Sequence, residues 1–336
     1  MAYNVSWLRF LKYYCNVKVL MGLVPLVLIT NAFLYILLFA KPRTVVISLD
    51  DIPNHLVSVP NFLKNVNTSN VKYCDIMYRD ISGLLKVPTE GVTDAELESI
   101  NQKYDVKPGG VWKPKSCVSM HKVAIIIPYR DRVSNLRDFL VYMHPFLQHQ
   151  MLDYRIVIVE QDEGRAFNRA KLFNVGFKES EKLDNFHCYI FHDVDLIPQN
   201  LNNVYGCTDL PRHMSANVDK FDYKVPYDSI LGGAVAILKE QFIQFNGFSN
   251  TFFGWGGEDD DFYNRVTKDG GRICRFAPDV SQYVMLSHDP QKPSADRYYF
   301  LWTGKDRYNT DGLNSLTYTV LKSEMLPLYT RILVHL

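Results

Sequence analysis

The sequence has little net charge, since 37 Lys and Arg residues against 36 Asp and Glu residues among 336 leave +1. It also lacks a Lys/Arg-rich tract, so nothing supplies the positive field that holds nucleic acid. No internal repeat or low-complexity stretch is present. A hydrophobic fraction of 47% is typical of a folded chain. The composition therefore excludes nucleic-acid binding and a mostly disordered protein.

A long uncharged segment, residues 19–40, lies between Lys18 and Lys41. A helix of this length covers the roughly 30 Å hydrocarbon core of a bilayer at about 1.5 Å per residue. No small-x-small cleavage site follows it, which favours an uncleaved signal anchor over a cleaved signal peptide. The slight excess of positive residues before it favours a cytoplasmic tail at residues 1–18. We predict a single-pass type II membrane protein.

Cysteine usage favours an oxidising, lumenal environment for the chain after the anchor. One of the six cysteines precedes the anchor, and the others follow it: Cys74, Cys117, Cys188, Cys207 and Cys274. The separations 74/117 and 188/207 suit two loop-closing disulfides, but spacing alone leaves other connectivities open. Asn67 begins an Asn-Thr-Ser glycosylation acceptor triplet on the same side.

The chain after the anchor divides into two regions of different character. Residues 41–110 contain many turn formers and predict a stem, with one short helix at residues 94–104. From residue 111 onward we expect a catalytic domain, in which apolar runs alternate with helical patterns. The apolar runs are 123–127, 156–159 and 188–191, and the helical patterns are 136–147 and 167–183. This alternation predicts an α/β fold with a parallel sheet and right-handed crossovers.

No glycine-rich phosphate-binding motif follows the first predicted strand. The residues there are Pro128-Tyr129-Arg130-Asp131-Arg132. Two arginines there could pair with a diphosphate and Tyr129 could stack on a base, although a helix-start ion-pair cluster is the simpler alternative. Phe167 and Arg169 repeat this aromatic-plus-arginine pattern after the second strand. The repetition favours nucleotide binding.

Acidic residues follow the third strand, where ligands bind in open α/β sheets. Asp193 and Asp195 could reach a divalent cation, unless they simply belong to a solvated loop. Four consecutive acids, residues 258–261, follow Gly-Trp-Gly-Gly at the start of a predicted helix over 258–268. They could merely complement the helix dipole, but Trp255 between glycines beside carboxylates is typical of a sugar site with a mobile aromatic lid.

Met285 and His288 follow a predicted strand near Tyr283. Considered alone, each side chain could simply pack in the hydrophobic core. Together with Asp195 they could complete a metal site, with the imidazole and the thioether as nitrogen and sulfur ligands.

Taken together, these motifs resemble the β1,4-galactosyltransferase family from about residue 73 to the C-terminus. The matching segments are Pro-Tyr-Arg-Asp-Arg, Phe-Asn-Arg-Ala-Lys, Asp-Val-Asp, Gly-Trp-Gly-Gly-Glu-Asp-Asp-Asp, Met-x-x-His and residues 311–318. The resemblance implies a GT-A fold and an inverting, Mn²⁺-dependent transfer from a UDP-sugar to a terminal GlcNAc-type acceptor. It also implies the disulfides Cys74–Cys117 and Cys188–Cys207, with Cys274 unassigned.

The resemblance assigns a role to each candidate residue. Asp195, Met285 and His288 would bind the metal. Asp259 would be the general base, with Glu258 and Trp255 as the other residues of the catalytic set. The donor would contact residues at the strand ends and in one later loop: Pro128, Tyr129, Arg130, Arg132, Phe167, Arg169, Asp193, Val194, Asp195, Ile230 and Gly232. The acceptor would contact a third set: Tyr227, Glu258, Asp259, Arg297, Tyr298 and Leu301.

One position departs from the galactose-transferring members, which have Tyr where this chain has Ile230. In the family that tyrosine crowds the donor's C2 substituent, so an aliphatic residue leaves room for an acetamido group. At this position the chain is similar to the invertebrate β1,4-N-acetylgalactosaminyltransferases. We therefore expect UDP-GalNAc as donor, with UDP-Gal as the alternative and a non-catalytic lectin-like or chaperone role as a less favoured one.

The anchor and the resemblance together predict residence in the Golgi membrane, with the catalytic domain in the lumen. The acceptor would be a GlcNAc-terminated glycolipid or glycoprotein. A membrane partner protein is a further possibility that the sequence leaves open.

Overall fold

The computed structural model describes residues 42–58, 72–74, 87 and 91–336, together with residues 25 and 30. The predicted cytoplasmic tail, nearly all of the anchor and the triplet at Asn67 lie outside the described residues. Within those residues, no helix has both the length and the apolar character needed to cross a bilayer. The contacts separate residues 43–336 as one compact unit, which is the unit described below.

Seven α-helices and thirteen strands lie in the described part of this unit. The helices are α1 (Ile52–His55), α2 (Asp94–Tyr104), α3 (Val133–His149), α4 (Arg169–Leu183), α5 (Lys239–Gln244), α6 (Glu258–Thr267) and α7 (Arg297–Thr303). The strands are β1 (Thr44–Ile47), β2 (Val111–Trp112), β3 (Lys122–Tyr129), β4 (Asp153–Gln161), β5 (Cys188–His192), β6 (Leu196–Pro198), β7 (Arg212–His213), β8 (Asn217–Val218), β9 (Ala234–Leu238), β10 (Ile273–Phe276), β11 (Gln282–Met285), β12 (Thr319–Met325) and β13 (Thr330–His335).

A large mixed sheet organises the unit, with strand order β1-β10-β7-β9-β5-β3-β4-β13-β12 and β2 added beside β4. The central strands β5, β3 and β4 are parallel, as the alternating pattern predicts. β9 pairs antiparallel with β5, so the sheet is mixed rather than wholly parallel. A second, three-stranded sheet has the order β6-β11-β8.

Helices cover both faces of the central strands, which explains their continuous apolar sequences. Residues 123–127 of β3 are completely buried, alternating between two hydrophobic clusters on opposite faces. Helix α4 approaches β3 so closely that a Cβ on Gly176 would lie 2.2 Å from the Cγ2 atom of Ile126. A glycine in this helix therefore permits the close contact between helix and sheet.

The stem predicted for residues 41–110 contributes several ordered elements to the fold, of which β1 and α2 are two. β1 pairs in parallel with β10 at one edge of the large sheet. Helix α2 has the predicted bounds and begins with a capping box, in which Thr93 accepts from the backbone N–H of Glu96 and the Glu96 side chain accepts in return. The domain boundary at residue 111 stays a prediction, but ordered elements lie before it.

β12 and β13 form an antiparallel hairpin that closes the sheet beside β4. Its outer strand, β12, is almost wholly exposed and contains an irregularity in register between Val320 and Lys322. This hairpin is not among the elements predicted from the sequence.

Both disulfides implied by the resemblance are confirmed: Cys74 bonds to Cys117, and Cys188 bonds to Cys207. Cys274 is a buried free cysteine whose sulfur lies 3.2 Å from the Thr208 hydroxyl oxygen. Burial raises the pKa of its thiol to about 11, so it stays in the unreactive thiol form.

Candidate active site

The candidate site lies beyond the carboxyl ends of the central parallel strands. Asp193 and Asp195 follow β5 directly, and the backbone N–H of Asp193 donates to the carbonyl of Gly233. This contact joins the end of β5 to the start of β9. The strand ends thus bring together the Asp-Val-Asp motif and the loop before β9, which contains Ile230 and Gly232.

Arg169, at the start of α4, connects two of the predicted acidic motifs. Its Nε donates to an oxygen of Asp193 at 2.5 Å, and its Nη1 lies 3.5 Å from Glu258 Oε1. Nη2 donates to the carbonyl of Gly233. The guanidinium, predicted to contact the donor, therefore holds the carboxylates of β5 and α6 in place.

Burial raises the pKa values of two acids in this cluster. Burial, followed by the charge of Asp259, raises the pKa of Glu258 to about 7, although Arg169 opposes the shift. Burial likewise raises the pKa of Asp193 to about 6. Glu258 Oε2 is buried and has no hydrogen-bond partner among the described residues. A ligand hydroxyl at that oxygen would satisfy it.

Asp195 and His288 meet directly, with Asp195 Oδ2 2.8 Å from His288 Nε2. His288 Nδ1 lies 2.9 Å from the carbonyl oxygen of Asp289, which can only accept, so Nδ1 carries the proton. With Nδ1 bonded in this way, Nε2 is the nitrogen that can give a lone pair to a cation which the Asp195 carboxylate also binds. This donor pair fits a divalent metal.

The third predicted ligand, Met285, lies beside this pair at the end of β11. β11 pairs antiparallel with β6, with Met285 opposite Leu196, and the N–H of Leu286 donates to the carbonyl of Asp195. Within the described residues, no cluster contains three or more His, Cys, Asp and Glu side chains able to hold a metal. The thioether of Met285 stays the predicted third ligand.

Two side chains from the start of α3 position the segment that carries His288. Arg132 Nη2 donates to the carbonyl of Asp289, and Asn135 Nδ2 donates to the carbonyl of Ser287. Asn135 is a functional candidate that the sequence analysis missed. A polar residue just before the predicted helical pattern at residues 136–147 gave no signal of this contact.

The acidic block begins α6, and left-handed glycines lead into it. Gly256 and Gly257 have φ values of 103° and 93°, a region that L side chains rarely adopt. Asp259 faces the loop before β9, because a Cβ on Gly232 would lie 2.5 Å from Asp259 Oδ2. The predicted base and the predicted donor loop are thus adjacent.

Trp255 is 56% exposed and forms a bridge with Pro293. An accessible indole between glycines is consistent with the lid that the sequence predicts. The predicted lid and acids therefore lie on one short segment at the start of α6.

The residues predicted to bind the nucleotide separate into two groups. Arg130 lies over the ring of Phe167 at 5.4 Å, and its side chain donates to the carbonyl of Arg165. Pro128, Tyr129 and Val194 are instead buried, and Tyr129 belongs to the hydrophobic core. Little of the Tyr129 ring is available for stacking on a base.

The residues predicted to contact the acceptor lie on α6, on α7 and in the loop before β9. Arg297 packs on the glycines preceding α6, with its Cδ 2.9 Å from the position of a Cβ on Gly256. Its guanidinium lies over the ring of Tyr298 at 4.3 Å. Leu301 is half-buried, and Tyr227 hydrogen-bonds the carboxylate of Asp260. The structure thus brings the predicted acceptor residues to the side of Glu258 and Asp259.

Comparison with known proteins identifies the chain's relatives. Residues 74–208 match the N-terminal region of glycosyl transferase group 7, and residues 212–289 match the family described as the N-terminal domain of galactosyltransferase. Human β-1,4-galactosyltransferase 1 is 47% identical over 72% of this chain and 61% of its own length. The human β-1,4-galactosyltransferase 6 is 40% identical over 84% of this chain and 75% of its own length.

A solved structure agrees with these sequence relatives. The catalytic domain of Drosophila β1,4-galactosyltransferase 7, in complex with xylobiose, has a TM-score of 0.56 and 31% identity, covering 64% of this chain and 94% of that domain. A mutant of the same enzyme, solved with manganese, UDP-Gal and xylobiose, has a TM-score of 0.54. The fold is thus the mixed α/β GT-A fold of glycosyltransferases. The chain spans 59% to 61% of the length of its type 1 relatives. It belongs to the β1,4-galactosyltransferase family.

Proposed function

We propose that the chain is an inverting glycosyltransferase that uses a divalent metal, Mn²⁺, and a UDP-sugar donor to form a β1,4 linkage to a terminal GlcNAc. The observation that carries the proposal is the convergence of Asp195, His288 and Asp259 at the carboxyl edge of the sheet. Asp195 and His288 form a pair suited to a cation, and Asp195 and Asp259 both act electrostatically on Asp193, so a carboxylate suited to a base lies near that pair.

Each group has a defined part in the proposed reaction. Asp259 accepts the proton of the acceptor's 4-hydroxyl as that oxygen forms a bond to the anomeric carbon. The bond from the anomeric carbon to the UDP oxygen breaks from the opposite face, which inverts the configuration. Mn²⁺, when bound by Asp195, Met285 and His288, supplies positive charge that stabilises the departing diphosphate. Glu258 Oε2, buried without a hydrogen-bond partner in the described structure, accepts from a sugar hydroxyl.

The test uses the full-length protein in detergent, with a β-linked GlcNAc acceptor, each UDP-sugar, and Mn²⁺ or EDTA. We expect transfer that requires Mn²⁺. We also expect Asp259→Asn to abolish transfer while donor binding, measured by calorimetry with UDP and Mn²⁺, persists. Full activity in Asp259→Asn, or undiminished activity in EDTA, contradicts the proposed mechanism.

The finer proposal concerns the donor, for which UDP-GalNAc is preferred. Ile230 belongs to the loop that leads to Gly232 and Asp259, and its backbone is fixed by hydrogen bonds to Tyr227 and Arg275. An aliphatic side chain held there leaves space for the acetamido group of GalNAc. The alternative donor, UDP-Gal, is supported by the names of the relatives and by its presence in the Drosophila complex.

Replacing Ile230 by Tyr tests the donor proposal. We expect Ile230→Tyr to lower the ratio of kcat/KM for UDP-GalNAc to that for UDP-Gal by about tenfold or more, which corresponds to about 1.4 kcal/mol. Ile230→Val, which keeps an aliphatic side chain, is the matched control and should keep the original ratio. An unchanged ratio in Ile230→Tyr refutes the role of this position.

Golgi residence and membrane anchoring remain parts of the same proposal, since the predicted anchor lies almost entirely outside the described residues. The non-catalytic lectin-like or chaperone role is disfavoured, because the metal pair and the candidate base are all present at one edge of the sheet. A GlcNAc-terminated glycolipid or glycoprotein is the proposed acceptor.

A further inference from the structure

Helix α7 presents an unusual set of exposed aromatic rings. Tyr298, Tyr299 and Trp302 are 68%, 63% and 79% exposed, although large aromatic side chains are usually well buried. Spacings of three and four residues place Trp302 on the same helix face as Tyr299 and Tyr298. These three residues, called the aromatic face below, therefore form one continuous patch.

The aromatic face is held in place by the opposite side of α7. The ring of Phe300 packs edge-on against Phe252, with ring centres 5.8 Å apart, and its carbonyl accepts from Arg307. The Thr303 hydroxyl donates to the carbonyl of Tyr299. The three rings are thus displayed outward from a helix whose other side is packed.

The position of α7 connects the aromatic face to the proposed acceptor site. Arg297 packs on the glycine segment that leads to Glu258 and Asp259, and it covers one side of Tyr298. Tyr299 follows Tyr298 directly, and Trp302 lies about one helical turn beyond Tyr298. The rings therefore extend the acceptor site outward along the helix.

The chemistry of the aromatic face favours a carbohydrate. Aromatic rings with polar rims stack on the apolar face of a pyranose while the hydroxyl groups remain hydrated. A stable protein partner usually buries at least about 1,000 Å² in total, which three side chains on a helix of seven residues do not supply by themselves. None of the three exposed residues is aliphatic or charged.

We infer that the aromatic face is an extended acceptor subsite, in which Trp302 and Tyr299 stack on the sugars that precede the terminal acceptor residue. The inference rests on the proposed function and specifies its substrate class: an oligosaccharide of at least two pyranoses, rather than a single GlcNAc.

The test compares GlcNAc with chitotriose, a β1,4-linked trimer of GlcNAc, on the full-length protein in detergent. We expect kcat/KM to be higher for chitotriose, and Trp302→Ala to lower it about tenfold for chitotriose while leaving the value for GlcNAc unchanged. Trp302→Phe, which retains a ring, should keep most of the advantage. Ile243→Ala, which removes an exposed apolar side chain from α5, is the matched control and should change neither value.

Binding measured without transfer separates this inference from the proposed reaction. Titration of chitotriose into the protein with UDP and Mn²⁺ should show weaker binding in Trp302→Ala even if no donor sugar is ever transferred. Equal losses for both acceptors, or no loss for either, would refute the subsite. A Trp302→Ala variant that changes only the sedimentation coefficient would identify a self-association surface and likewise overturn the inference.

Discussion

At the scale of single residues, Glu258 gives the site a dependence on pH. Its pKa rises from 4.5 to about 7 in the folded protein, with burial as the main cause. The folded state therefore binds more protons than the unfolded state between these values. The resulting stabilisation is complete below about pH 4.5 and is lost as the pH rises through about 7.

Glu258→Gln tests this linkage, because glutamine resembles the protonated acid in shape. We expect the variant to match the wild type at pH 4.5 and to exceed its free energy of unfolding by about 3 kcal/mol at pH 8. Urea unfolding at several pH values measures the difference. Parallel stability curves for the two proteins would show that the carboxyl is ionised normally in the folded state.

At the scale of elements, the start of α3 controls the segment that carries His288. Asn135, 4% exposed, donates from its side chain to the carbonyl of Ser287. Removing this contact with Asn135→Ala should free the segment without touching the ligands. We expect the Mn²⁺ concentration for half-maximal activity to rise about tenfold, as is common when a supporting contact of a metal ligand is lost.

Ser134→Ala provides the control for this prediction, since Ser134 is an exposed neighbour on the same helix. Calorimetry with Mn²⁺ and UDP measures the affinity directly. A loss of kcat with unaltered Mn²⁺ affinity in Asn135→Ala would mean that the contact supports the fold rather than the ligand geometry.

Some of the strands could be predicted from the sequence and others could not. The runs 123–127, 156–159 and 188–191 identify the central strands because burial on both faces demands continuous apolar residues. The strands β7 and β10 and the hairpin β12–β13 escape this pattern, whereas β9 is a similar buried apolar run that was not predicted. Pairing between distant strands depends on the whole sheet, and β12 is exposed and carries no run of buried residues.

The site residues also differ in how far local sequence predicts them. The metal candidates, Asp195 and His288, are distinctive residues in distinctive motifs, and the structure brings them into contact. Asn135 is an ordinary residue that acts only through a partner remote in sequence. Arg169 likewise contacts both Asp193 and Glu258 only because α6 packs beside the start of α4, and local sequence cannot specify that packing.

At the scale of the whole molecule, two disulfides restrain the fold, and one of them is attached to the strand that leads into the site. Cys188–Cys207 joins β5 to the loop before β7 across 19 residues. Replacing both cysteines by Ala should lower the free energy of unfolding by about 3 kcal/mol, because a loop of this length then gains freedom in the unfolded chain.

Chemical denaturation of the pair variant tests this expectation, with Cys274→Ala as the control that leaves both disulfides intact. The control should lose less stability. A pair variant as stable as the wild type would assign the disulfide no thermodynamic role. Cys274 is buried in the folded protein, so it should resist alkylation. The same resistance in the pair variant would show that the large sheet is still folded.

The exposed hairpin strand β12 affects how copies of the protein behave beside one another. An outer strand with unpaired amide groups can template aggregation by adding a strand from another chain. Here the register is interrupted between Val320 and Lys322, and the charged side chain of Lys322 lies on the open strand. A neighbouring chain therefore meets an irregular border that carries the charges of Lys322 and Glu324, and this disfavours the addition of another strand there.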